Sequence, residues 1–67
     1  MKKVLDKNGK EIHVDMHVIM PEPNEDNLND SWEGGGWCTL VDDVLDNGNI
    51  IVEDGMFEIA GNRVEID

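Results

Sequence analysis

The stretch Val41-Asp42-Asp43-Val44-Leu45-Asp46-Asn47-Gly48-Asn49-Ile50-Ile51-Val52-Glu53-Asp54-Gly55-Met56-Phe57-Glu58-Ile59 decides the fold. Its three short runs, rich in β-branched residues, are separated by Asn47-Gly48 and Asp54-Gly55, dipeptides suited to the positive φ of a tight reversal. Each run is long enough for a strand and too short for a helix, so the stretch reads as two consecutive hairpins. Strict alternation would turn Asp42 or Asp43 inward beside Leu40 or Val41. An unpaired buried carboxylate is costly, so a β-bulge is expected there.

Towards the C-terminus, Gly61-Asn62 breaks the chain before Val64-Glu65-Ile66, a last strand with Val64 and Ile66 on one face. Towards the N-terminus, Asn8-Gly9 between Val4-Leu5 and Ile12-Val14 signals a third hairpin, with a type I′ turn. From Glu11 to Met20, Ile12, Val14, Met16, Val18 and Met20 alternate with Glu11, His13, Asp15 and His17, the pattern of a half-buried strand that Pro21 ends. The segment Pro21 to Gly36 carries five acids, three consecutive glycines and no base. It reads as a long acidic loop between the second and third strands, with room for one helical turn near Asp30 to Glu33.

The expected architecture is all-β, with five or six short strands that bury their apolar faces by curling into a small barrel. The run Asp6-Lys7-Asn8-Gly9-Lys10-Glu11-Ile12, then Val14-Asp15-Met16-His17-Val18, Gly36 and Asn47-Gly48-Asn49-Ile50-Ile51-Val52 resembles the SH3-like small β-barrels. The nearest flavour is the short KOW-like and Tudor-like modules of prokaryotes and their phages. The resemblance covers most of the chain outside residues 21–36 and implies one SH3-like barrel domain over residues 1–67. The chain lacks the basic residues of the nucleic-acid-binding members and the tyrosines typical of peptide-binding SH3 domains.

Sixty-seven residues, 7.5 kDa, hold one small domain and exclude a cleft between lobes. Of the 26 apolar residues 13 are Val or Ile, which argues for a folded sheet over an acidic tail. Sixteen Asp and Glu against five Lys and Arg leave a net charge of -11, which repels phosphate backbones and disfavours direct nucleic-acid binding. Four of the five bases lie in residues 1–10, where they can pair with acids across the first hairpin. A single cysteine, Cys38, excludes an intrachain disulfide, and no window has the length of a signal core or membrane span, so a cytoplasmic location is expected.

Candidate binding residues are Trp32 and Trp37, which flank the triple glycine, with Glu25, Asp26, Asp30 and Glu33 beside them. An indole face amid carboxylates can receive a cationic or Pro-containing segment of a protein partner by ion pairing and cation–π contact. The alternative is that one or both tryptophans plug the open end of the barrel, Trp37 from its place on a strand. A rival class is an acidic nucleic-acid mimic that inhibits a DNA- or RNA-binding protein, which needs carboxylates in a row. Asp42, Asp43, Asp46, Glu53, Asp54 and Glu58 are the candidates for that row.

His13 and His17 on a strand stand roughly 13 Å apart, too far to share a metal, and no window has the alternating oxygens of a calcium loop. Ser31, Thr39 and Cys38 sit in no catalytic motif. No enzyme activity, metal, cofactor or membrane partner is expected.

Overall fold

A computed structural model describes residues 3–24, 26–27 and 30–67. Five strands form one open antiparallel sheet: β1 (His17–Ile19), β2 (Cys38–Val44), β3 (Asn49–Val52), β4 (Phe57–Ala60) and β5 (Glu65–Ile66), in the order β4-β3-β2-β1-β5. A 3₁₀ turn, Gly61–Arg63, separates β4 from β5, and no α-helix occurs among the described residues. The radius of gyration, 10.7 Å, is that of one folded domain of this length, about 11 Å.

The decisive stretch folds as read. Val41 pairs with Val52 and Asp43 with Ile51, so Asp42 is the extra residue of a bulge and both acids stay exposed. Alternate residues of β3 and β4 then supply Ile50, Val52 and Ile59 to a core shared with Val4, Ile12, Val18, Met20, Trp32, Val41 and Val64.

The reversals differ in kind. Between β3 and β4, Glu53, Asp54 and Gly55 all have positive φ and Met56 N–H donates to Glu53 C=O (3.1 Å), a four-residue connection closed by the Val52–Phe57 pair. In the two Asn-Gly turns only the glycine has positive φ. Gly48 N–H donates to Leu45 C=O (3.3 Å) and Leu45 N–H to Asn49 C=O (2.9 Å), the pattern of a type I turn closed by a left-handed glycine bulge. Asp6 to Lys10 repeat it around Gly9, correcting the type I′ expectation there.

The N-terminal half departs further from the alternation. The first expected strand contributes one isolated bridge, Leu5 to Glu11. The expected strand from Glu11 to Met20 is broken: Val14 is 49% exposed, Asp15 has φ 71°, and only His17–Ile19 is strand. What holds this region is Asp6, a carboxylate 3% exposed. Its Oδ1 accepts from Asn8 N–H (2.9 Å) and Lys10 N–H (2.8 Å), and its Oδ2 from Ile66 N–H (2.9 Å). These bonds fasten the first turn to β5, aided by Lys7 N–H donating to Val64 C=O (2.9 Å).

Three ion pairs occur among the described residues: Lys3–Glu11, His13–Glu11 when the histidine is protonated, and Arg63–Asp30. Most of the sixteen acids therefore repel one another across a small surface. Added salt should screen that repulsion and raise Tm between low and physiological ionic strength, as read by a calorimetric or circular-dichroism melt. A flat or falling Tm would show that the acids are already neutralised by bound ions.

Candidate functional site

The connection between β1 and β2 carries no helix or strand among its described residues, so the helical turn considered for Asp30 to Glu33 does not form. It is nonetheless fastened at several points. Trp32 Nε1–H donates to Pro21 C=O (2.9 Å), and Gly36 N–H and Met20 N–H bond across its ends to Met20 C=O and Trp37 C=O. Gly35 lies so close to Pro21 and Glu22 that an added Cβ would strike their backbone at 2.6–2.8 Å, so at this glycine the absence of a side chain permits the contact.

Trp32 is 5% exposed and packs edge-on against Phe57, ring centroids 5.6 Å apart. The Arg63 guanidinium stands over its ring, 5.7 Å from the centroid, and forks onto Asp30, with Nη1 to Oδ1 at 3.1 Å and Nη2 to Oδ2 at 2.7 Å. The Asp30 side chain is 1% exposed and also accepts from Asn24 N–H (2.7 Å). The bond from Arg63 holds its carboxyl below the usual range, against a smaller opposing effect of burial. Of the two readings of Trp32 the structure has the buried one, and the Asp30 carboxylate is engaged by Arg63. The chain's own Arg63 fills the cation site that a partner was expected to fill. Sequence reasoning missed Arg63 because 33 positions separate it from Asp30.

The remaining candidates are scattered. Trp37, half-buried against the core, donates from Nε1 to Gly34 C=O (3.1 Å). Asp26 and Glu33 are exposed, and Glu25 lies outside the described residues. Cys38 is exposed, and its bond to Asp67 Oδ2 (3.5 Å) pushes the thiol pKa up, the opposite of an activated nucleophile.

The acids proposed as a mimic row do not line up. Asp42 Oδ2 accepts from Gly55 N–H (2.9 Å) and Glu53 Oε2 from the Thr39 hydroxyl (2.7 Å), which places both beside Asp54 at the β3–β4 turn. Asp46 sits in the β2–β3 turn, at the other end of β3, roughly 13 Å away. Asp43 and Glu58 share the outer sheet face but flank the apolar Ile51, to which each is directly opposite.

What the fold does build is a groove of about 630 Å³. Ile51, Glu58 and Ala60 line it from β3 and β4, Met56 from the turn between them, Ser31 from the β1–β2 connection and Arg63 from the 3₁₀ turn. Met56 is 71% exposed, and Glu58 is exposed while accepting from Asn49 Nδ2 (2.7 Å). Among the described residues no three His, Cys, Asp or Glu converge on a metal position. No described helix is long and apolar enough to cross a membrane. Comparison with protein-family models, curated proteins and solved structures finds no match.

Proposed function

We propose that the chain is a small acidic interaction module, cytoplasmic, that binds a basic or Pro-containing segment of a partner protein in the groove between β3–β4 and the β1–β2 connection. The observation that carries this reading is the groove itself, where exposed Met56 and half-buried Ile51 offer apolar surface beside exposed Glu58. A net charge of -11 draws cationic chains towards it and speeds their encounter. The strand order, with β5 returning beside β1 and β4 at the far edge, supports an SH3-like arrangement that curls without pairing its two edge strands. The scattered acids and the apolar residues between them make a nucleic-acid mimic the weaker reading.

A titration of the isotope-labelled chain with a Lys- and Pro-rich peptide, at physiological salt, tests the proposal. Saturable shifts should concentrate on Ile51, Met56, Glu58 and Arg63, and Glu58→Lys should weaken binding roughly tenfold by replacing attraction with repulsion. Diffuse, non-saturating shifts would overturn it. Inhibition of a DNA-binding enzyme that competing duplex DNA relieves would replace it with the mimic.

A further inference from the structure

We propose that the occupant of this groove is an extended basic segment that adds to the sheet as a sixth strand, pairing with the free edge of β4. This deepens the interaction-module reading and rests on it. The edge is identified by the strand order, in which, among the described residues, β4 pairs with β3 on one side only. Its hydrogen-bonding phase follows from one bond, Gly61 N–H to Gly48 C=O (3.0 Å). That bond makes Ala60 and Asn49 a non-hydrogen-bonded pair, and two residues on Glu58 and Ile51 form another. The N–H and C=O groups of Glu58 and Ala60 therefore point away from β3, where Glu58 and Ala60 also line the groove. Two donors and two acceptors stand ready for one added strand.

Edges of this kind invite pairing, and proteins blunt them with lysine, proline or a bulge. The strand Phe57-Glu58-Ile59-Ala60 has none of these; it is short and carries one charge, Glu58, which repels acidic partners and not basic ones, and its register with β3 is unbroken. What opposes pairing with a second copy is charge, since each copy carries -11. The same charge attracts a basic segment. Exposed Glu58 and Asp54 and the thioether of Met56 would meet its lysines and apolar residues, while the backbone bonds supply affinity indifferent to sequence.

The probe is a peptide of about nine residues alternating Lys and Val, with two N-methylated forms, each methylating one alternate set of amides. Added as a strand, it should shift the Glu58 and Ala60 amide protons downfield and protect them from exchange. One N-methylated form should bind roughly tenfold more weakly and the other almost unchanged, because only one set of amides faces β4. On the protein side, Ala60→Pro is the matched variant. Ala60 has φ -62°, which proline adopts, and its N–H serves no bond in the existing ladder. Tm should stay within a few degrees of the parent while affinity falls roughly tenfold. Equal binding by both N-methylated peptides, with Glu58 and Ala60 amides unshifted, would overturn strand addition and leave docking by side chains intact. Failure of every form to bind would overturn both readings. Should Ala60→Pro not fold, the paired peptides still decide.

Discussion

Trp32→Ala should leave the chain largely unfolded under conditions where the parent is folded. Removing a buried tryptophan costs about 3–5 kcal/mol, whereas a domain of this size has roughly 3–10 kcal/mol in total. The indole loses its edge contact with Phe57, its bond to Pro21 and its place beneath Arg63, so the β1–β2 connection loses its main apolar anchor. Trp32→Phe keeps a ring against Phe57 and gives up the indole N–H, and should cost about 1–2 kcal/mol. Trp37→Ala, at a half-buried position, should cost about as little. Urea titrations followed by far-ultraviolet circular dichroism, with amide dispersion in NMR, separate the three variants. A Trp32→Ala variant that melts within a couple of degrees of the parent would place that ring outside the core and reopen it as a ligand contact.

Asp6→Asn should be the second large effect, on the order of 10 °C in Tm, although it changes no volume. The carboxylate accepts three backbone N–H bonds with its two oxygens. An amide has one oxygen, so either Ile66 N–H or the Asn8 and Lys10 pair meets an NH₂ donor instead of an acceptor. The loss falls where the first turn joins β5, and hydrogen exchange should quicken there first. Acid should reproduce it. The Ile66 N–H bond, with those from Lys10 and Asn8, holds the Asp6 carboxyl below its ordinary value of 3.8, burial opposing, and Arg63 lowers Asp30 likewise. For a carboxyl depressed in the folded state, the stabilisation is complete above the unfolded pKa and is lost as pH falls through the folded one. Stability should therefore drop on the acid side of the ordinary carboxylate range, and Asp6→Asn should flatten that limb. Asp30→Asn should also destabilise, by about 1–2 kcal/mol, because the amide keeps one oxygen for Arg63 and Arg63 keeps 29% exposure. An unchanged acid limb in both variants would show that neither carboxylate carries the linkage.

The C-terminal half was legible because its signals are local. Asn47-Gly48, Asp54-Gly55 and the Asp42–Asp43 bulge follow from turn chemistry and from the cost of burying a charge, which neighbouring residues decide between themselves. The alternation from Glu11 to Met20 misled for the opposite reason. A period of two is compatible with a continuous strand, but Asp15 takes a left-handed conformation and Val14 turns outward while Val41 bonds Asp15 and Met16 on either side of the bend.

The sequence by itself determined an all-β chain, its net negative charge and the places where its hairpins reverse, since composition and adjacent residues suffice for each. Only the tertiary structure decided that Arg63 claims the Trp32 face and Asp30, that Asp6 bonds a strand 60 residues away, and that the groove lies along β4. Pairing of a buried charge depends on which distant partner the folded chain brings within about 3 Å, and no local pattern encodes that distance.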